Sequence, residues 1–74
     1  MDAKKTGNII CKYRKKKNLT QEELAKKLFI TSKAVSKWER GLSLPDISVL
    51  IPLSEALDLS IYDLLKGEES NGKE

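Results

Sequence analysis

The sequence contains no histidine and only one cysteine, and these absences exclude several kinds of site. Without histidine the chain lacks the common zinc ligand sets and any His-based catalytic scheme, and Cys11 alone cannot form an intramolecular disulfide. The sequence also shows no phosphate-binding loop, no evident pair of catalytic carboxylates and, at 74 residues, too little chain for a substrate pocket. We therefore expect a protein that is not an enzyme and that carries no metal and no cofactor.

Long apolar runs are missing as well. No run approaches the roughly 20 residues of a membrane-spanning helix, and the N-terminal segment MDAKKTGN lacks the apolar part of a signal peptide. With 39% hydrophobic and 34% charged residues, the composition is that of one small globular domain. These features predict a cytoplasmic protein that has no membrane partner.

The charges are distributed unevenly along the chain. The net charge is +3, yet residues 1–41 carry a balance of +8 and residues 42–74 a balance of −5. An asymmetry of this kind is typical of a protein whose N-terminal half faces a polyanion while its C-terminal half faces elsewhere.

The clearest signals for secondary structure lie between Thr20 and Gly41. Thr20 and Glu23 have the spacing of a capping box, which predicts a helix beginning at residue 21. Thr31 is predicted to cap a second helix, and Gly41 to end it in the left-handed conformation. Helical spacing gives the pair a shared apolar face, formed by Leu24, Leu28, Val35 and Trp38. Two helices so short and so closely connected indicate a helix-turn-helix packed on a third element.

Two longer helices are predicted on either side of this pair. The first runs from about Lys5 to Lys17, and Asn18 follows it in a left-handed conformation. The fourth begins at Pro45 and continues through Pro52 with a kink or a tightened turn, because proline fits the first turn and disturbs the interior. Its apolar side is predicted to comprise Ile47, Leu50, Ile51, Leu53, Ala56 and Leu57.

A short fifth helix is predicted from Ile61 to Leu65, begun by Ser60 and ended by Gly67. The domain then covers residues 1–67, and residues 68–74 form a polar, disordered tail. No segment has the alternating pattern of a strand.

Most of the chain, from about residue 6 to residue 67, resembles the Cro/C1-type (XRE) helix-turn-helix transcriptional regulators. The resemblance is carried by Arg14, LTQEELAKKL at 19–28, AVSKWERG at 34–41, LPDISVLIPL at 44–53 and the closing IYDLLKGE. It implies an all-α, compact five-helix, lambda-repressor-like DNA-binding domain whose third helix enters the major groove. Phe29 departs from the family, which often has glycine at this position of the turn. A left-handed backbone there costs a residue with a side chain about 1–2 kcal/mol. The two alternatives are that packing of the ring offsets this cost and that the turn differs locally.

The resemblance also assigns residues to double-stranded DNA. The exposed side of the third helix carries Ser32, Lys33, Ser36 and Lys37, and we expect these four to contact base edges, since lysine donates to guanine. The alternative for each is an ordinary solvated side chain.

Phosphate contacts are expected at both ends of the helix pair and from the first helix. Gln21 lies at a helix N-terminus, where N–H groups and the helix dipole favour an anion. Arg40 and Ser43 follow the third helix, and Lys17 ends a run of lysines for which a solvated helix end is an equal alternative. The resemblance also implies a structural ion pair between Arg14 and Glu39, which joins the first and third helices. The alternative is that Arg14 contacts phosphate.

Two functions remain in competition after these assignments. The leading one is a sequence-specific DNA-binding transcriptional regulator, and more specifically a repressor, that binds as a homodimer. Its dimer contacts are expected in and beside the fifth helix, at Leu59, Ile61, Tyr62 and Leu65. The alternative is an antitoxin or anti-regulator that uses the same fold to bind a regulatory protein partner through its acidic C-terminal half.

Overall fold

The computed structural model describes residues 1–69, and within them the chain forms five α-helices and no strand. The helices are α1 (Ala3–Lys16), α2 (Gln21–Leu28), α3 (Ser32–Glu39), α4 (Ile47–Leu57) and α5 (Ile61–Lys66). The predicted all-α, five-helix architecture is therefore confirmed. No helix among these residues is long and apolar enough to cross a membrane.

The predicted starts and stops of α2 and α3 are present as hydrogen bonds. Thr20 N–H donates to Glu23 Oε1 at 2.9 Å, and Glu23 N–H donates to Thr20 Oγ1 at 3.0 Å, which completes the capping box. The Thr31 hydroxyl accepts from Ala34 N–H at 3.2 Å, and Gly41 follows α3 with φ of 73°. These local signals were sufficient to place the pair because each is satisfied within four residues of chain.

The start of α4 was predicted wrongly. Pro45 is buried and lies before the helix, which begins at Ile47. Asp46 is the N-cap, because its carboxylate accepts from Ser48 N–H at 3.1 Å and from the Ser48 hydroxyl at 2.6 Å. An N-cap also explains why α1 begins at Ala3 and not near Lys5, where the sequence predicted its start. The Asp2 carboxylate accepts hydrogen bonds from two backbone N–H groups of the first turn.

Pro52 lies inside α4, which is one helix and not two, as predicted. The kink or tightened turn near Ile51 stays a prediction. The apolar side of α4 is divided, however, and two of its expected members do not enter the core. Leu53 and Leu57 are fully buried, whereas Ile47 and Ile51 are 82% and 61% exposed. These two isoleucines are four residues apart and so lie on one exposed face of the helix.

A single apolar core joins all five helices. It includes the predicted interior residues of α2 and α3, with Trp38 buried as part of the core. The buried hydrophobic residues are Ile9, Ile10, Leu24, Ala25, Leu28, Val35, Trp38, Leu53, Leu57, Leu59 and Leu64.

Close backbone packing of α1 on α3 depends on Gly7. A methyl group placed on Gly7 would collide with the backbone carbonyl oxygen of Trp38, so only glycine allows the two helices to approach this closely. The approach positions one side of α1 along the C-terminal half of α3.

The turn between α2 and α3 contains a strained residue. Phe29 has φ of 58° and ψ of 41°, in the left-handed region, and its side chain is 94% exposed. The ring is therefore not packed against residues 1–69. Packing of the ring, which the sequence analysis considered as compensation for the left-handed backbone, is not present. The turn keeps its left-handed conformation even though the residue carries a side chain.

The C-terminal segment contacts α1 at the start of the predicted tail. Glu68 pairs with Lys5 at 3.2 Å, and Glu69 pairs with Lys12. Residues 70–74, the remainder of that tail, lie outside the described residues.

Candidate nucleic-acid interface

One side of α3 is free of the core and carries the residues predicted to contact bases. Ser32, Lys33 and Lys37 are exposed, because Val35 and Trp38 occupy the opposite side of the helix. Ser32 and Lys33 lie in the first turn of α3, where a recognition helix contacts base edges, and Lys37 lies in its last turn. The structure thus brings these three together on one polar surface.

Ser36 differs from its predicted neighbours. It is half-buried, and its hydroxyl accepts a hydrogen bond from Arg40 Nε at 3.2 Å. The contact links a predicted base-contacting residue to a predicted phosphate-contacting residue, one helical turn apart. A serine held in this way directs the guanidinium of Arg40 along the helix surface.

A buried ion pair attaches the C-terminal end of α3 to α1. Arg14 Nε donates to Glu39 Oε2 at 2.6 Å, and Arg14 Nη2 donates to Glu39 Oε1 at 3.1 Å. The side chains are only 11% and 6% exposed, respectively. Arg14 Nη1 also donates to the carbonyl oxygen of Leu19 at 2.7 Å, so the guanidinium connects three segments of the chain. This bidentate geometry fixes both the distance and the rotation of α3 relative to α1.

Gln21 belongs to the same network, which the sequence did not indicate. Its Nε2 donates to Glu39 Oε1 at 2.9 Å, across 18 residues of sequence. The side chain of this predicted phosphate ligand is therefore oriented by the same carboxylate that Arg14 holds. Only the packing of α2 on α3 brings the two residues together, so no spacing in the sequence could have revealed the contact.

The network also sets the protonation of Glu39. Burial raises the pKa of this carboxyl, but the hydrogen bonds from Arg14 and Gln21 and the positive charge of Arg14 outweigh it, and the net effect lowers the pKa of Glu39. The hydrogen bond with Glu39 raises the pKa of Arg14 in turn. Both groups are thus charged at neutral pH, and the ion pair is intact there.

The segment that follows α3 exposes both polar and apolar side chains, since Leu42 and Leu44 are exposed as well as Arg40 and Ser43. Arg40 caps the helix, Gly41 turns the chain, and Ser43 lies in the loop that leads to α4. Arg40 and Ser43 therefore lie together beyond the C-terminal end of α3, whereas Gln21 lies at the start of α2. The predicted phosphate contacts fall on two flanks of the α3 surface.

Lys17 is placed elsewhere. Its Nζ lies 2.8 Å from Asp58 Oδ2, at the C-terminal end of α4, and both side chains are exposed. The hydrogen bond from Lys17 lowers the pKa of Asp58. This ion pair directs the ammonium group of Lys17 towards α4, and the structure does not bring it together with the α3 surface.

Comparison with known proteins adds a family and several relatives to this geometry. A family model described as helix-turn-helix matches residues 12–64. The chain is 45% identical over 53 residues to the HTH-type transcriptional activator BcrR of Enterococcus faecalis, covering 72% of this chain and 26% of that protein. It is 37% identical over 70 residues to repressor protein C2 of Salmonella phage P22, covering 95% of this chain and 32% of that protein.

A solved structure shares the fold. The crystal structure of the P22 c2 repressor protein in complex with synthetic operator 9T, in the presence of Tl+, superposes with a TM-score of 0.81 at 38% identity. The match covers 85% of this chain and 96% of that one. The chain spans only about a quarter to a third of the length of these two curated relatives.

Proposed function

This chain belongs to the helix-turn-helix family of Cro/C1-type (XRE) regulators, and on that premise we propose that it is a sequence-specific, double-stranded DNA-binding transcriptional regulator. The observation that carries the proposal is the exposed α3 surface of Ser32, Lys33 and Lys37, held at a fixed angle by the buried Arg14–Glu39 pair. A rigid helix that presents hydrogen-bond donors to solvent is what contact with major-groove base edges requires.

We assign different roles to the residues of this surface. Lys33 and Lys37 contact base edges, and Ser32 and Ser36 donate or accept with less discrimination. Gln21, Arg40 and Ser43 contact phosphates on the two flanks, which fixes the register of the protein on the duplex. The Asp58 ion pair disfavours a phosphate contact by Lys17, so Lys17 is the weakest member of the proposed set.

The proposed activity is repression. A helix-turn-helix that occupies its site can block access to a promoter without a further domain. The similarity to repressor protein C2 covers most of this chain, which favours repression. The match to BcrR, which is named a transcriptional activator, represents the opposite effect on transcription. A promoter-reporter assay distinguishes repression from activation. The DNA site obtained by in vitro selection is placed either upstream of the transcription start or overlapping it.

We also propose that the chain binds DNA as a homodimer, with half-sites about one helical turn, or roughly 34 Å, apart. Of the dimer contacts expected from the sequence, Leu59 is buried in the core and Ile61 is half-buried, so neither supplies much free surface. On α4 and α5 the exposed large apolar side chains are Ile47, Ile51, Tyr62 and Leu65. A second copy of the chain would cover these exposed apolar side chains of α4 and α5 in the proposed dimer.

The alternative, a module that binds a protein partner through an acidic half, is less favoured. Three carboxylates of that half, at Asp58, Glu68 and Glu69, are already in ion pairs with lysines of the N-terminal part of the chain. Three of the six acidic residues described in residues 42–69 are thus paired within the chain, which leaves less negative charge for a partner.

In vitro selection from randomised duplex DNA tests the proposal. A palindromic consensus is the expected result, and it would establish both sequence specificity and two-fold binding. Failure to enrich any sequence, with no affinity for mixed duplex at low salt, would refute the proposal and favour the protein-binding alternative.

A further inference from the structure

One side of α1 contacts the C-terminal end of α3, at Trp38 and Glu39. Its residues are spaced three or four apart, so they share a face: Lys4, Gly7, Cys11 and Arg14. Gly7 approaches the Trp38 carbonyl, and Arg14 holds Glu39, so two members of the face are in direct contact with α3. Lys4 is the exposed member at the opposite end of this face, one turn before Gly7.

The backbone of Lys4 lies against the segment that leaves α3. A methyl group placed on Gly41 would lie 3.3 Å from Lys4 Cα and 3.6 Å from Lys4 Cγ. The aliphatic stem of Lys4 therefore begins directly above Gly41, between Arg40 and the Ser43 loop. Because a lysine stem is flexible and carries its ammonium group into water, Lys4 adds a positive charge to this flank of the α3 surface.

Three other lysines in α1 and at its C-cap are in ion pairs. Lys5 pairs with Glu68, Lys12 with Glu69 and Lys17 with Asp58, and Lys4 is not a member of these pairs. The nearest acidic residue in sequence, Asp2, uses its carboxylate to accept the backbone N–H groups of Lys4 and Lys5 as the N-cap of α1. Lys4 is thus exposed, and its stem begins next to Gly41, the residue that follows Arg40.

From this geometry we propose that Lys4 makes a further phosphate contact, next to those of Arg40 and Ser43, on the DNA strand that passes the C-terminal end of α3. The inference rests on the proposed function. It extends the interface to the N-terminal turn of α1, whereas the sequence predicted only Lys17, at the other end of the first helix, as a phosphate contact. A contact of this kind contributes affinity at every DNA sequence and no discrimination between bases.

The neighbouring lysine supplies a matched control. Lys4→Ala and Lys5→Ala remove the same side chain and the same charge from consecutive positions of one exposed helical turn. Lys4 faces the segment after α3, whereas Lys5 lies against Gly67 and Glu68 beside α5. A difference between the two variants therefore reports position and not net charge.

The measurement is the slope of log K against log salt concentration, for the selected duplex and for a mixed-sequence duplex. Each phosphate contact contributes about 0.9 to that slope, so Lys4→Ala should flatten it by about 0.9 on both duplexes. Between roughly 50 and 200 mM salt, the affinity of Lys4→Ala should consequently fall about 3.5-fold less than that of the wild type. Lys5→Ala should retain the wild-type slope, Lys4→Arg should restore it, and thermal melting should show all three variants folded.

Each other result has a definite meaning. If Lys4→Ala and Lys5→Ala change the slope equally, the effect is one of net charge, and the inference is overturned while the proposed function stands. If Lys4→Ala changes affinity for the selected duplex alone, Lys4 contacts a base and the phosphate assignment is wrong. If the wild type shows no salt-dependent binding to either duplex, the proposed function fails and this inference fails with it.

Discussion

Replacing Phe29 by glycine should stabilise the protein, which is an unusual expectation for the loss of a large aromatic side chain. The backbone at Phe29 is left-handed, with φ of 58°, and a residue with a Cβ atom is strained there. Because the side chain is 94% exposed, removing the ring uncovers no buried apolar surface. The substitution should therefore relieve the strain without a packing cost.

The magnitude follows from two opposing contributions. The left-handed conformation costs a residue other than glycine about 1–2 kcal/mol, whereas the greater freedom of glycine in the unfolded chain costs about 0.5–1 kcal/mol. The net gain in the free energy of unfolding should be about 0.75 kcal/mol from the midpoints of the two ranges, which limit it to about 0–1.5 kcal/mol. For a domain of this size such a gain raises the melting temperature by about 2–8 °C.

Thermal and urea denaturation, followed by circular dichroism, provide the assay. Phe29→Ala is the matched control, because alanine lacks the ring but keeps the Cβ atom and hence the strain. Its stability should stay close to that of the wild type. Asn18→Gly is a second comparison at another left-handed position, where asparagine is tolerated and the gain should be smaller.

The reasoning is refuted if Phe29→Gly is no more stable than Phe29→Ala. A loss of stability in both variants would show instead that the ring is packed in solution. Unchanged DNA binding by Phe29→Gly would further show that the strained residue supports neither the interface nor the angle between α2 and α3.

Four further predictions concern the interface and its supports. Arg14→Ala leaves the Glu39 carboxylate buried without its cation. It should lower the free energy of unfolding, measured by urea denaturation, by about 3 kcal/mol, near the low end for such pairs. The control Lys17→Ala, which removes the exposed pair with Asp58, should leave the denaturation midpoint unchanged. Because the folded state lowers the pKa of Glu39, the stability that its charged form provides is present above the unfolded pKa of about 4.3 and is lost as the pH falls through the lower folded value. The stability difference between the wild type and Glu39→Gln should therefore shrink below about pH 4, and a constant difference down to pH 2 would contradict the assignment. Lys37→Ala should relax specificity at one base pair by about 1–3 kcal/mol in a competition assay, with Lys66→Ala as the control; an equal loss on every sequence would show that Lys37 contacts only phosphate. In sedimentation experiments, Ile51→Lys and Tyr62→Lys should each be compared with the wild type. The variant that lowers the dimer fraction identifies the helix, α4 or α5, that faces the second copy. A monomeric wild type at low micromolar concentration would count against the dimer.

The sequence predicted the fold to a large extent because its helix boundaries depend on contacts over two to four residues. The Thr20–Glu23 box, the Thr31 cap and the left-handed Gly41 and Gly67 are all present in the structure. The error at Pro45 has a local origin as well, since proline at a first turn and Asp46 at an N-cap are both favourable, and burial of Pro45 decided between them. Local chemistry left two acceptable starts, and packing selected one.

The exposed faces were less predictable. An apolar residue on an amphipathic helix is expected to enter the core, yet Ile47 and Ile51 point to solvent because α4 packs with the side that carries Leu53 and Leu57. Periodicity identifies candidates for burial, but the width of the buried stripe depends on which neighbours are present.

By itself, the sequence determined the number of helices, the helix-turn-helix, and the polar residues of the third helix, since each follows from short-range spacing and side-chain chemistry. The tertiary structure alone decided how those residues are held and what accompanies them. Only packing joins Gln21 to Glu39 across 18 residues, directs Lys17 to Asp58, and lays Lys4 beside Gly41. The physical reason is that capping hydrogen bonds close within one helical turn, whereas the partners of a charged side chain depend on the approach of distant segments, which here is set by the core and by the missing side chain of Gly7.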